Sequence, residues 1–291
     1  MTTFEEKIGR DQRFESYLQR WGLRGDPFKF ELPSIDAFAP SQRDDLRKLK
    51  WLLSEGKLGV LTGALGMGKT TVCEFLVASV KEESLTAPDP SKQIVPILIH
   101  GATYKSAEEL LRAIILGLEM DANKDRASLF EVLRRWSQEH QERLAIIIDD
   151  VPESGGDVLE VGEFLRVLVD IPNISILLNG EFKQMRHFLS KVPALLDRVQ
   201  MHIELKPMNM KNFKELLALR LKNAGCTDYG LLAQNGFESL YKFSKGIPRL
   251  ALKAASNALR YAAEQDMPID ARAVKRANKR PILKRVFPFL R

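Results

Sequence analysis

Lys69 and Thr70 close the run Gly63-Ala64-Leu65-Gly66-Met67-Gly68-Lys69-Thr70, which fits the spacing G-x-x-x-x-G-K-[ST]. Each residue type answers a need of phosphate binding. The glycines let backbone N–H groups converge on phosphate oxygens, the Lys69 ammonium can reach β- and γ-phosphates, and the Thr70 hydroxyl, followed by Thr71, can sit on Mg²⁺. Downstream, Asp149 and Asp150 close the apolar run 144–148. A carboxylate at Asp149 can hold the Mg²⁺ that bridges phosphates. A second acid, Asp150, can orient or deprotonate an attacking water. Apolar runs ending in aspartate are common, so the pair gains its meaning from the phosphate loop upstream.

These residues need strands and helices to carry them. Residues 58–62 are a short apolar run suited to a buried strand, and 70–80 have helical spacing through Val72, Phe75, Leu76 and Val80. Further strands are predicted at 94–99, 144–148, 174–178 and 200–205; Pro96 places the first of these at an edge or bulge. Helices are predicted at 41–54, 106–118, 126–139, 158–169 and 181–196, the last interrupted near Pro193. After Pro207 the strands stop and four helices follow, at 212–224, 236–243, 248–264 and 270–278. Alternation followed by helices alone means an α/β domain with a small all-α domain behind it. The boundaries fall at 1–42 for a polar N-terminal segment with scattered aromatics (Phe4, Phe14, Tyr17, Trp21), 43–206, 207–279, and 280–291 for a tail.

The chain has 291 residues, 45% hydrophobic and 28% charged, ordinary for a soluble globular protein. No apolar stretch approaches a bilayer span, and the N-terminus lacks the apolar core of a signal peptide. Cys73 and Cys226 have no metal-ligand spacing. A reducing, cytoplasmic setting without a membrane is the expectation. The net charge of +6 gathers at the end. Residues 271–291 carry Arg272, Lys275, Arg276, Lys279, Arg280, Lys284, Arg285 and Arg291 and no acid. Such a block contacts nucleic acid or an acidic partner, or is simply a solvated face with a loose end.

Three more polar residues sit where phosphate chemistry can use them. Asn179 ends the strand after Asp149, where it can touch a γ-phosphate or water; Asn before Gly is also a common turn pair. Arg198 precedes the last strand, and Arg249 lies in Gly246-Ile247-Pro248-Arg249 at a helix start. Either guanidinium can stabilise phosphate charge or make a surface salt bridge.

Together these motifs resemble the AAA+ ATPases, and within them the branch of the transposition regulators TnsC and MuB and the secretion ATPase ExeA. Trp21-Gly22-Leu23 with Pro27-Phe28 is similar to the branch's N-terminal Gly-Leu…Pro-Phe element. Gly63 to Thr71 matches Walker A, and Ile146 to Asp150 matches Walker B. Asn179 falls at the sensor-1 position, Arg198 at the arginine-finger position, and Gly246 to Arg249 on the sensor-2 motif. Leu205-Lys206-Pro207-Met208 looks like the hinge into the lid. Arg220-Leu221 with Ala224-Gly225 is similar to the branch's Arg-Leu…Ala-Gly helix end. One departure stands out: the family usually has Asp-Glu where this chain has Asp149-Asp150, a pair also typical of STAND signalling ATPases.

The resemblance implies an AAA+ P-loop NTPase core with a parallel five-stranded sheet and an all-α lid, binding and hydrolysing ATP with Mg²⁺; the departure at Asp150, one methylene shorter than glutamate, makes slow hydrolysis the expectation. It implies a homo-oligomeric ring or filament on duplex DNA that selects transposition targets and activates a transposase, with the C-terminal tail available to a transposase or other protein. Lys105, in the stretch after the second strand that lines the DNA-facing surface of those relatives, is the first candidate for a phosphate contact; an ordinary strand-to-helix loop is the alternative. The other class is a soluble STAND-like or ExeA-like ATPase that binds protein rather than DNA. The residues beyond Arg276 are too few for the winged-helix domain that replication initiators append.

Overall fold

The computed structural model describes residues 4–29, 38, 40–151 and 158–279. They form two compact units. One is 42–206; the other joins the described residues before Gln42 to those from Pro207 onward.

The first unit is built on five parallel strands: β1 (Leu58–Gly63), β2 (Ile94–His100), β3 (Arg143–Asp149), β4 (Ile174–Gly180) and β5 (Val199–Leu205), in the order β2-β3-β4-β1-β5. The inner strands read as unbroken apolar runs because both faces are covered: every residue of β1 and β4 is buried, and β3 is buried from Leu144 on. Pro96 is tolerated because β2 is an edge strand, paired only with β3. The covering helices are α2 (Pro40–Ser54), α3 (Lys69–Thr86), α4 (Ala107–Gly117), α5 (Arg126–Glu139), α6 (Val158–Val169), α7 (Phe182–Lys191) and the short α8 (Pro193–Leu196). Local sequence starts several of them. Ser106 accepts from the Glu109 N–H at 3.2 Å to open α4, and Asp125 accepts from the Ser128 N–H at 3.1 Å to open α5. Val192 and Pro193 separate α7 from α8.

The strand order decides the site. β4 lies between β1 and β3, with Leu61 opposite Asn179 on one side and Ile148 opposite Leu178 on the other. Asn179 therefore ends the strand that separates the phosphate loop from Asp149. At the edge, His100 is in register with Asp149.

The second unit is helical: α9 (Met210–Asn223), α10 (Gln234–Ser244), α11 (Pro248–Gln265) and α12 (Ala271–Ala277), with the N-terminal α1 (Phe4–Arg20) packed on α11. The sequence pattern assigns no element to the polar N-terminal segment, and the structure places α1 there. Phe14, Tyr17, Leu18 and Trp21 fall at helical spacing, and Tyr17 and Leu18 are buried in the core of the helical unit. The Tyr17 hydroxyl donates to the Met267 carbonyl at 2.6 Å. Two motifs far apart in sequence meet here. The Arg24 N–H donates to the Ala224 carbonyl at 2.9 Å and the Thr227 N–H to the Trp21 carbonyl at 3.3 Å, so the Gly-Leu element and the Ala-Gly helix end form one clasp.

Gly246, in the Gly-Ile-Pro-Arg stretch, has φ +78° and its carbonyl accepts the Met208 N–H at 3.0 Å. A Cβ there would lie 2.2 Å from the Met208 carbonyl oxygen. Gly246→Ala is expected to lower stability by roughly 2 kcal/mol or more, read by urea or thermal melting. An unchanged midpoint would show that this backbone approach is not made in solution.

Candidate functional site

The loop between β1 and α3 is shaped before any ligand arrives. Gly66 and Gly68 take φ +84° and +89°, a conformation that residues with a Cβ adopt only under strain. Met67 is buried and anchors the loop, while Leu65 is exposed at its tip. α3 begins at Lys69 with no side-chain cap and no acid in its first turn. Its free N–H groups and positive dipole end therefore favour an anion. The Lys69 side chain is buried and its Nζ donates to the Gly63 carbonyl at 3.0 Å. Gly63, Ala64, Leu65, Gly66, Met67, Gly68, Lys69, Thr70 and Thr71 thus form a strand–loop–helix cradle.

Asp149 meets this cradle across β4. Its side chain is 3% exposed. Oδ1 accepts from the Thr70 hydroxyl at 3.3 Å and from the Asn179 amide, and Oδ2 lies 3.6 Å from His100 Nδ1. The Asn179 amide also reaches Cys73 Sγ at 3.5 Å, and its Oδ1 is buried with no partner among the described residues. Burial raises the Asp149 carboxyl pKa most, and the nearby Asp150 adds to that; the Thr70, His100 and Asn179 contacts oppose it. Burial likewise pushes the Cys73 thiol up, so it is an inert core residue.

The donor set fits Mg²⁺. Thr70 and Asp149 offer hard oxygens on one spot, and their carboxylate has neutral donors but no paired Lys or Arg. Mg²⁺ characteristically takes one or two protein oxygens and completes its shell with phosphates and water. Asp150 is exposed, has φ +60° and makes no hydrogen bond with a described residue. The following Val151 N–H returns to the Asn179 carbonyl at 3.0 Å. Glu153, the next acid along the chain, lies outside the described residues.

The remaining sequence candidates are placed as follows. Arg198 sits at the start of β5, the end of the sheet opposite the loop. Seven residues of strand separate the two ends, about 23 Å at about 3.3 Å per residue. Its guanidinium forms a forked pair with Asp170 (Nε–Oδ1 2.8 Å, Nη2–Oδ2 2.7 Å) and donates to the Ala194 carbonyl at 2.7 Å. Arg249 is exposed in the first turn of α11, in the helical unit, without an ion pair among the described residues. Lys105 is exposed beside α4, with its backbone N–H on the Glu109 carboxylate at 2.7 Å, while Glu108 pairs with Arg112. The tail residues 280–291 lie outside the described residues. Sequence reasoning missed His100 and Asp170. His100 becomes visible only once β2 is known to border β3.

Five parallel strands in this order, with a phosphate loop after β1 and an acid at the end of β3, define an AAA+ P-loop nucleotide-binding core. Residues 52–199 match the model of the AAA domain family, and the chain belongs to that family. No curated protein matches the sequence. Among solved structures, the Aeropyrum pernix ORC2 protein in its ADPNP–ADP complexes matches at a TM-score of 0.67 and 16% identity, over 93% of this chain and 76% of that one. The Pyrobaculum aerophilum Cdc6p matches at 0.62 and 17%, over 92% and 75%. A point mutant of Thermotoga maritima RuvB matches at 0.56 and 17%, over 85% and 72%. No helix among the described residues is long and apolar enough to cross a membrane.

The raised Asp149 pKa has a consequence with a definite sign. Without a cation, the folded protein binds this proton more readily than the unfolded chain, so stability falls as pH rises between the unfolded and folded pKa values. In EDTA at pH 7, Asp149→Asn is expected to melt about 2 °C or more above wild type. The difference should shrink as the pH falls and wild-type Asp149 takes up its proton. The same variant should lose Mg²⁺-dependent nucleotide binding. Scanning fluorimetry across pH checks the first outcome, and titration with a fluorescent ATP analogue the second.

Proposed function

We propose that this protein is an ATP- and Mg²⁺-dependent switch that hydrolyses ATP slowly and assembles with copies of itself on duplex DNA. The observation that carries the reading is the convergence of Lys69, Thr70, Asp149 and Asn179 at the loop end of the sheet, with Arg198 at the far end of β5. Lys69 exchanges the Gly63 carbonyl for phosphate oxygens, and the α3 N-terminus holds the same phosphates through its backbone. Thr70 and Asp149 hold Mg²⁺, which supplies neutralisation of phosphate charge when bound. Asn179, whose amide donates to Asp149 at the end of β4, is the candidate for contact with the γ-phosphate or the attacking water. Asp150 is one methylene shorter than the glutamate usual in this family and leaves the strand on a left-handed backbone, which supports slow turnover. Arg249 is the candidate for a second cation on the phosphates.

Arg198 is about a strand length from its own chain's loop, so a role at phosphate has to be played on a neighbour's nucleotide. Its forked pair with Asp170 must then open. That pair is solvent-exposed and screened by water, so ATP binding can drive the exchange. Duplex DNA as the assembly platform is supported by the basic charge excess and the branch resemblance to TnsC and MuB. On that resemblance the switch is a transposition target-selection and transposase-activating regulator, acting in the cytoplasm, with residues 280–291 offered to the transposase. Asp150 favours a second reading, a STAND-like or ExeA-like ATPase that binds protein instead of DNA. The Glu109 carboxylate beside Lys105 points the same way.

Lys69→Ala is expected to abolish ATP binding at micromolar nucleotide. Arg198→Ala should keep ATP binding and lose both hydrolysis and ATP-induced oligomers. Asp170→Ala, which frees Arg198, should assemble at lower protein concentration than wild type. Nucleotide titration reads the first outcome, and light scattering with and without ATP reads assembly in the other two; unchanged assembly in both Arg198→Ala and Asp170→Ala removes Arg198 from the subunit junction. Duplex binding by the full chain, measured with and without ATP against salt, separates the two readings, and no binding at low salt selects the protein-binding one.

A further inference from the structure

One stretch of the helical unit, across the turn from α10 into α11, is free of acids. Between Ser239 and Ala263 the chain has no acid, yet carries Lys242, Lys245, Arg249, Lys253 and Arg260. Arg260 lies over the Phe14 ring at 4.8 Å, and Arg249 is the phosphate candidate above. Lys242, Lys245 and Lys253 remain. All three are exposed, and none of their ammonium groups pairs with a described residue. Glu238, one turn back on α10, instead accepts from Gln234 at 3.1 Å.

Between these lysines two large apolar side chains face solvent: Phe243 is 45% exposed and Leu250 42%. Beneath them Ser244, Gly246 and Pro248 are buried. The turn is fixed by the Lys245 N–H on the Tyr241 carbonyl at 2.7 Å and the Ile247 N–H on the Ser244 carbonyl at 3.0 Å. Lys245 itself has φ +52°, a conformation that glycine or asparagine takes at lower cost. A cation at the C-terminus of α10 agrees with the helix dipole. That field does not explain Lys253, which follows an α11 first turn without acids. Lys105, by contrast, has the Glu109 carboxylate on its own backbone N–H at 2.7 Å.

We propose that the α10–α11 corner grips the phosphate backbone of nucleic acid through Lys242, Lys245 and Lys253, with Phe243 and Leu250 against the strand. The proposal rests on the DNA-binding reading above and moves the principal contact away from Lys105. Lysines are point charges that meet phosphates without reading bases. An exposed aromatic ring flanked by them offers a face to an unpaired base.

The test uses the full chain with ATP, a labelled duplex and a labelled oligothymidylate of equal length, and fluorescence anisotropy over a salt series. The variant carries Lys242→Gln, Lys245→Asn and Lys253→Gln; asparagine suits the left-handed position. It should keep wild-type melting and ATP affinity, bind duplex at least about tenfold more weakly, and show a log–log salt slope shallower by roughly 2 to 3. If it fails to fold, the three single variants should each make the slope shallower by about 0.9. Phe243→Ala should weaken oligothymidylate binding by about tenfold; unchanged affinity there removes Phe243 from the surface. Wild-type affinity and slope in the lysine variants overturn the corner as the contact while the DNA reading stands. A wild-type protein that binds neither nucleic acid overturns both. Polyglutamate that displaces the protein as well as duplex at equal charge overturns nucleic acid in favour of an acidic protein.

Discussion

The buried carboxylate of Asp149 is the constraint around which the first unit is arranged. It has left water almost completely, and its neighbours Thr70 and Asn179 offer only neutral hydrogen bonds. A charge in that position without a paired cation is unfavourable by several kcal/mol in general. The loop, the start of α3 and the end of β4 are therefore held in a state that a bound cation improves. Cation binding and local electrostatics therefore act in the same direction.

The parallel order β2-β3-β4-β1-β5 is what brings the groups together. Were β3 beside β1, Asn179 would not stand between loop and acid. The sheet also keeps Lys69 and Arg198 apart, since one follows the end of β1 and the other precedes β5, with Leu58 and Val199 in register at the start of both strands. A single chain cannot bring that arginine to its own loop while the sheet is intact. The geometry thus divides the work between binding within one chain and the contribution proposed across a junction.

Much of the fold was legible because the strands are short, continuous apolar runs separated by helical spacing, and burial on both faces leaves no other pattern available. The all-α character after Pro207 was legible for the complementary reason. The helix α1 and its partnership with α11 were not. Its apolar stripe is short, and its partners, such as Met267, lie at the other end of the sequence. The glycine loop and Asp149 carry a local pattern, so they were readable as a site. His100 was not, because only strand order puts it opposite Asp149. Asp170 was invisible for another reason: an exposed ion pair between distant residues leaves no periodicity behind.

Asp150 shows how one residue separates binding from turnover. Everything that would hold a nucleotide lies in strands, in the loop or in the first turn of a helix, where backbone hydrogen bonds fix it. Asp150 lies one step beyond β3, exposed, on a left-handed backbone that costs a non-glycine residue about 1 kcal/mol. Gly101 makes room for that turn, since a Cβ there would come within 2.6 Å of the Asp150 carbonyl. The turn is therefore built into the packing of β2 against β3. A short carboxylate on such a turn has a longer way to reach a water at the γ-phosphate than a glutamate would. Slower hydrolysis lengthens the life of whatever state ATP stabilises without weakening ATP binding itself. On the proposed function, such a protein acts through how long it stays loaded, and a neighbour that supplies or repositions a water-activating group sets that time.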